Sequence, residues 1–243
     1  MSMNLKIYNQ NKFWLVWGLL IYLIGSLSAP NIWAQEQSDA GKQISKKQTY
    51  ALDKLLKKIE SRYSGPGFSA EFEQQSTISA MEITDSASGK VYIKRPGKMR
   101  WEYILPEAQI IISDGTELWI YQPEENQVMV GKAPSFFADG KGAAFLSDLK
   151  NLRNEFSVTL EPVDAKGNPV IKLIPKKKSK ELTEIYLTIS HRSDTIDLIL
   201  TKNGFGDETR IQLNKYRLNQ ELSEDMFVFE VPNGADVLQM DQP

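Results

Sequence analysis

Cysteine is absent from the 243-residue chain, and histidine occurs only once, as His191. Without cysteine no disulfide can form, so the hydrophobic core alone must hold the fold together. The chain also lacks the N-terminal cysteine to which bacterial lipoproteins attach their lipid. Most zinc sites and many nucleophilic catalytic centres are built from cysteine or histidine. We therefore expect neither a metal ion nor another cofactor.

Catalytic motifs are also missing, because the chain has no G-x-S-x-G, no Walker loop and no G-x-G-x-x-G. His191 lies in a predicted turn, where a solvated side chain is a simpler interpretation than a catalytic base. Carboxylate pairs such as Glu124 and Glu125 lie in polar turns, which do not separate an acid from a base role. Only an enzyme that uses carboxylates alone is compatible with this sequence. We expect a binding protein instead.

The first 34 residues have the pattern of a signal peptide. Lys6 and Lys12 are the only charges before an apolar run from Phe13 to Leu27, and Ala34 supplies a small residue for cleavage. This run is shorter than the ~20 residues of a typical membrane-spanning helix, which disfavours the alternative of an uncleaved anchor. We predict cleavage after Ala34 and export to the periplasm.

Charge gives no reason to expect a nucleic-acid partner. Residues 1–34 hold two of the 29 basic residues and no acid, which leaves 27 basic against 31 acidic residues in the mature chain. The one basic run, in a predicted hairpin turn, consists of Lys176, Lys177, Lys178 and Lys180. Such a run is typical of a solvated loop, and it also suits a docking surface for an acidic partner or anionic head groups.

Composition divides the mature chain into a polar lead-in and one domain. Residues 35–48 are rich in Gln, Ser and Lys and are predicted to be disordered. Residues 49–63 then show apolar side chains at helical spacing, and Gly65-Pro66-Gly67 ends this predicted helix. We predict a single domain over residues 49–243.

From Phe68 onward the apolar period changes to two, which indicates β-strands. The predicted strands lie near residues 68–72, 91–93, 99–103, 110–113, 118–121, 127–130, 156–160, 170–174, 184–189, 195–200, 208–216 and 226–230. Short turns join them, one of them at Ser88-Gly89, and residues 134–152 form the one interior helical segment. The pattern predicts about eleven antiparallel strands rolled into a barrel or half-barrel.

Large aromatic side chains are concentrated between residues 89 and 130, in Trp101, Tyr103, Trp119 and Tyr121. They suit the concave face of a curved sheet around a cavity, and they equally suit a filled barrel core. Periodicity alone does not separate these two interpretations.

Specific motifs in the same stretch resemble the periplasmic outer-membrane lipoprotein carrier family (LolA-like). The motifs are Lys94-Arg95-Pro96, Met99-x-Trp101, Ser113-Asp114-Gly115-x-x-Leu118-Trp119-x-Tyr121-x-Pro123 and Gln127-Val128. Phe68-x-Ala70-x-Phe72-x-Gln74 is similar to the family's first strand, and Phe227-x-Phe229-x-x-Pro232-x-Gly234 to its closing strand. The resemblance covers most of residues 49–238.

The resemblance implies an incomplete antiparallel β-barrel, with helices at residues 49–63 and 135–150 as a lid over a hydrophobic cavity for acyl chains. By motif, Arg95 is the latch that bonds to lid carbonyls. The cavity residues it implies are Phe68, Phe72, Val91, Ile93, Met99, Trp101 and Trp119.

The resemblance further implies a monomeric periplasmic carrier with partners at both membranes. It would take lipoproteins from an ATP-driven inner-membrane complex and deliver them to an outer-membrane receptor where one exists. Residues 136–152 are only loosely similar to the family's lid. The alternative is therefore a carrier or sensor of another lipid or acylated envelope component that uses the same half-barrel.

Overall fold

The computed structural model describes residues 32–133, 146, 149 and 152–240, with the backbone alone for residues 32–45. Contacts divide the chain into residues Met1–Gln43 and a compact unit of residues Ile44–Pro243. Residues 1–31 of the predicted signal peptide lie outside the described range. Within that range, no helix is long and apolar enough to cross a bilayer.

Helix α1 extends from Ile32 to Arg62. It begins well before the predicted start at residue 49, so residues 35–48 are helical rather than the disordered lead-in that we predicted. The reason is that residues 46–51 are exposed and bury no apolar face, so this part of the helix leaves no periodic signal. The predicted apolar stripe is buried, as expected, and consists of Leu52, Leu55, Leu56, Ile59 and Tyr63.

The described residues form twelve strands. These are β1 (Gly67–Ile78), β2 (Ile83–Lys94), β3 (Lys98–Leu105), β4 (Gln109–Ser113), β5 (Glu117–Gln122), β6 (Gln127–Lys132), β7 (Phe156–Glu161), β8 (Val170–Pro175), β9 (Glu184–Ile189), β10 (Ile196–Lys202), β11 (Glu208–Leu218) and β12 (Asp236–Gln239).

All twelve strands belong to one sheet, in the order β12-β6-β5-β4-β3-β2-β1-β11-β10-β9-β8-β7. Neighbours pair antiparallel except β12, which runs parallel to β6. Strands β7 and β12 lie at opposite edges, so the sheet is open, and its inward side chains from β1 to β11 share one core cluster. The predicted incomplete barrel is confirmed, with one strand more than expected.

The turn predicted at Ser88-Gly89 is wrong, because β2 continues through it and the β1–β2 hairpin turns at residues 79–82. Gly89 marks a register shift between β2 and β3 instead. A Cβ at this position would lie 1.9 Å from the Glu102 carbonyl oxygen. The glycine therefore reflects a close approach of two strands and not a chain reversal.

The predicted closing strand at residues 226–230 is also wrong. A 3₁₀ helix occupies Glu224–Phe227, and the edge strand β12 follows only at Asp236–Gln239. Phe227 is buried and Phe229 half-buried, so the alternation in this segment reports burial without strand pairing.

The interior helix predicted at residues 134–152 lies mostly outside the described residues. Those that are described, Leu146, Leu149 and Leu152, are buried in the same core cluster as α1. A short helix follows at Leu152–Glu155 and leads directly into β7.

Candidate functional site

The concave face of the half-barrel brings together six of the seven side chains that we predicted to line a cavity. Phe68, Phe72, Val91, Ile93, Met99 and Trp101 each expose at most 1% of their surface and belong to one core cluster. They lie on β1, β2 and β3, where strand register places Phe68 opposite Ile93, Ile93 opposite Met99 and Val91 opposite Trp101. Residues directly opposite share a face, so the six form one continuous apolar surface.

Trp119 lies on the other face of the sheet, which corrects our placement of this residue. Its neighbours Leu118 and Ile120 are buried in the concave cluster, so Trp119 must point to the convex side. There it is half-buried, with its ring 6.2 Å from that of Phe229. The sequence does not show this because residues 118–121 are apolar at every position.

The second half of the sheet also contributes to this surface, although no lining residue was predicted there. Each of its strands from β8 to β11 contributes buried aliphatic residues to the same concave cluster: Ile171, Leu173, Ile185, Leu187, Ile189, Ile196, Ile199, Ile211 and Leu213. The signal was present in the sequence as alternating Ile and Leu. It indicates strands without indicating which cavity they face.

Helix α1 covers the concave face with its apolar stripe, and Leu146 and Leu149 lie in the same cluster. The C-terminal end of α1 is fixed most firmly. The Tyr63 ring packs edge-on against Phe68 at 5.1 Å, and its hydroxyl oxygen accepts a hydrogen bond from the Ile196 backbone N–H at 2.9 Å. In this arrangement helix and sheet side chains bury one another.

The polar groups within this apolar layer are neutral. Burial raises the pKa values of Tyr63 and Tyr103 to about 12. Burial also raises the pKa of Tyr216 well above its ordinary value. Tyr103 donates a hydrogen bond to Gln74 at 3.0 Å, and the indole nitrogen of Trp101 is buried without a hydrogen-bond acceptor among the described residues. The concave face therefore presents hydrocarbon and aromatic rings, with no buried charge.

Arg95 joins the sheet to the segments that cover it. Its Nη1 donates to the Gly65 carbonyl oxygen at 2.9 Å, and its Nη2 donates to the Leu146 carbonyl oxygen at 3.3 Å. The guanidinium also lies 5.9 Å from the centre of the Phe68 ring. These contacts have the pattern that the resemblance implied for a latch, since both acceptors are backbone carbonyls of the covering region.

Position 95 suits this task because it follows directly from the end of β2. The Arg95 backbone N–H donates to the Pro66 carbonyl at 2.9 Å, and Gly97 turns the chain with a φ of 70°. The preceding residue, Lys94, makes its contacts with a different segment, pairing with Glu224 at 2.8 Å and donating to the Leu222 carbonyl. Consecutive side chains thus hold the C-terminal segment and the helical cover.

The described residues contain no group of three or more His, Cys, Asp and Glu side chains that could hold a metal ion. His191 is exposed in a turn, and its Nδ1 lies 2.7 Å from the Asn168 side-chain oxygen. A polar hollow on the outer side of α1 is lined by Lys54, Lys57, Arg62 and neighbours. The apolar concave face is thus the feature of the described chain best suited to a ligand.

An open antiparallel half-barrel with a helix across an apolar concave face defines the class of this protein. A family model described as outer membrane lipoprotein carrier protein LolA matches residues 65–230. The chain therefore belongs to this family.

Individual relatives agree with this assignment. The outer-membrane lipoprotein carrier protein of Chromobacterium violaceum is 34% identical over 174 residues, which cover 71% of this chain and 81% of that protein. That of Azotobacter vinelandii is 31% identical over 170 residues, covering 70% and 80%. A crystal structure of an uncharacterized conserved protein from Thermus thermophilus matches 78% of this chain and 99% of its own, at 16% identity and a TM-score of 0.50, and supports the fold alone.

Proposed function

We propose that this protein carries lipoproteins across the periplasm by enclosing their acyl chains between α1 and the concave face of the sheet. The observation that supports the proposal most directly is the apolar surface of β1–β3, covered by an amphipathic helix and joined to its cover by Arg95. The relatives named as outer-membrane lipoprotein carrier proteins support the same cargo.

Burial of acyl chains is the physical need that such a surface meets. Each methylene exposed to water costs about 0.8 kcal/mol, so a protein with several acyl chains does not leave a membrane unaided. On this face, acyl chains would replace the α1 stripe, from Leu52 to Tyr63, as the partner of the sheet. One apolar contact replaces another, so opening costs far less than exposing the face to water.

Delivery requires that the chains be released again. A cover held by apolar contacts and a small number of polar bonds can exchange between closed and open arrangements, which a rigid core cannot do. Under this proposal the monomeric carrier receives its cargo from an ATP-driven inner-membrane complex and passes it to an outer-membrane acceptor. The signal-peptide pattern of residues 1–34 agrees with a periplasmic site of action.

A release and transfer experiment tests the proposal. Mature protein, residues 35–243, is incubated with spheroplasts that synthesise labelled lipoproteins, and the soluble fraction is separated. We expect a one-to-one soluble complex, which then gives up its lipoprotein to isolated outer membranes. An Arg95→Leu variant should retain the cargo, whereas Arg100→Leu, which alters an arginine on the convex face, should transfer it normally.

The same experiment distinguishes the second candidate, a carrier or sensor of another lipid. Native mass spectrometry of the protein recovered from envelopes would then show free lipid in place of lipoprotein. A folded protein that releases no lipoprotein from spheroplasts contradicts the proposed cargo. The half-barrel fold is unaffected by either result.

A further inference from the structure

Three loops meet at the end of the sheet that lies farthest along β1 from Arg95. They are the β1–β2 turn (residues 78–83), the β8–β9 loop (residues 176–183) and the β10–β11 turn (residues 203–207), which we call the loop rim. The backbone N–H of Ser79 donates to Asp207 Oδ1 at 2.9 Å, and the Gly204 N–H donates to the Lys180 carbonyl at 2.7 Å. Hydrogen bonds thus join the three loops into one surface.

Large apolar side chains are exposed on two of these loops. Met81 is 67% exposed and Phe205 60%, and Ile78 and Ile83 next to Met81 are also exposed. Ile78 and Ile83 are paired across the hairpin, so they lie on the same side of its tip. Large apolar residues grouped on adjoining loop tips indicate an interaction surface.

The third loop supplies positive charge beside these apolar tips. Lys176, Lys177, Lys178 and Lys180 all lie on it, and Glu181 is the only acid within the loop. The hydrogen bond to Gly204 places Lys180 next to the turn that carries Phe205. The lysine run of the sequence is therefore part of a surface that combines charge with exposed hydrocarbon.

We propose that the loop rim binds the surface of a bilayer that contains anionic lipids. Lysines attract anionic head groups at about 1 kcal/mol each, which corresponds to about fivefold in binding, while apolar tips enter the interface. An acidic protein partner would complement the lysines, but it would leave Met81 and Phe205 without an apolar environment. The bilayer interface satisfies both features of the rim.

Binding of the full mature protein to vesicles tests this proposal, and it needs no lipoprotein cargo. Flotation with vesicles of phosphatidylethanolamine and phosphatidylglycerol is compared with flotation with phosphatidylcholine alone. We expect binding only to the anionic vesicles, with a loss at high salt because salt screens exposed charges. Since cargo is absent, this result is independent of the transport proposed above.

Variants then locate the binding surface. Lys177→Gln with Lys178→Gln should weaken binding about 25-fold, from about fivefold for each lysine. The matched control, Lys54→Gln with Lys57→Gln, removes two lysines from α1 and should leave binding unchanged.

A second pair of variants tests the apolar tips. Met81→Ser with Phe205→Ser should weaken binding by about tenfold or more, because less hydrocarbon enters the interface. Val163→Ser removes an equally exposed apolar residue elsewhere and should have no effect. Equal losses in the rim and control variants, or no binding to anionic vesicles, would overturn the proposal; in the second case the lysines are left to an acidic protein.

Discussion

Replacement of Arg95 by leucine removes the polar link between the sheet and its helical cover while keeping a side chain of similar bulk. Two hydrogen bonds are lost, one to the Gly65 carbonyl and one to the Leu146 carbonyl, along with the cation–π contact to Phe68. The apolar contacts of α1 with the sheet stay in place. We expect the closed arrangement to become less favoured without global unfolding.

The size of the effect follows from the bond to Leu146. A hydrogen bond made by a charged group contributes about 1.5–3 kcal/mol, and at 3.3 Å this bond is longer than the 2.7–2.9 Å typical of such pairs. We therefore use the lower value, which corresponds to about tenfold in the ratio of closed to open protein. If acyl chains bind only the open form, their apparent Kd should fall by up to the same factor.

A cysteine-labelling assay measures this opening directly, because the natural chain contains no cysteine. Ile59, which is 2% exposed on α1, is replaced by cysteine, and its reaction with a thiol reagent reports how often the helix leaves the sheet. We expect labelling about tenfold faster in the Arg95→Leu background. Val128→Cys, buried on the convex face, reports global unfolding and should label at an unchanged rate.

Arg100→Leu is the matched control for the arginine itself. Arg100 also donates to a backbone carbonyl, that of Met226 at 3.2 Å, but it does so on the convex face. Loss of this contact should lower the melting temperature without changing the labelling of the cysteine introduced at position 59. Equal acceleration by both arginine variants, or none by Arg95→Leu, would refute the assignment of Arg95 as a latch.

Two further predictions concern stability. Gly89→Ala should destabilise the fold by about 1–3 kcal/mol in denaturant titration, because its Cβ would overlap the Glu102 carbonyl; an unchanged midpoint would contradict the close approach of the strands. Hydrogen bonds from Lys94 and Lys98 lower the pKa of Glu224 to about 2. A depressed carboxylate pKa stabilises the fold above the unfolded value near 4.5 and loses this effect as the pH falls towards 2. The melting temperature of Glu224→Gln should therefore lie below that of the wild type at about pH 6 and converge with it near pH 2, and a constant difference would exclude this linkage.

The half-barrel itself could be predicted from the sequence because its strands alternate so regularly. In β1, β2 and β3 the outward residues are polar, as with Ser69, Lys90 and Arg100, so alternation identified the buried face correctly. At β5 this information disappears. Trp119 and Leu118 are both apolar because the convex side of this strand is covered by Phe229, a contact from more than a hundred residues away.

Segments that bury no face, or that are buried without pairing, were beyond sequence reasoning for the same physical reason. The start of α1 buries nothing over residues 46–51, so its helical state leaves no pattern. Phe227 and Phe229 alternate like a strand, but they pack on the sheet from a 3₁₀ helix and an extended segment. Periodicity reports which side chains are buried, and it does not report what pairs with the backbone.

The contacts of α1 indicate how the helix would leave the sheet. Its C-terminal end is anchored by the Tyr63 hydroxyl, whereas the ion pairs nearer its middle, Asp53 with Arg153 and Lys58 with Asp194, are exposed and contribute little. We therefore expect α1 to swing about Tyr63. Hydrogen exchange should show faster exchange at the backbone of Leu52 than near Tyr63 in the free protein, and Arg95→Leu should widen this difference. Uniform exchange along the helix would mean that it detaches as a whole, and Tyr63 would then not be a pivot.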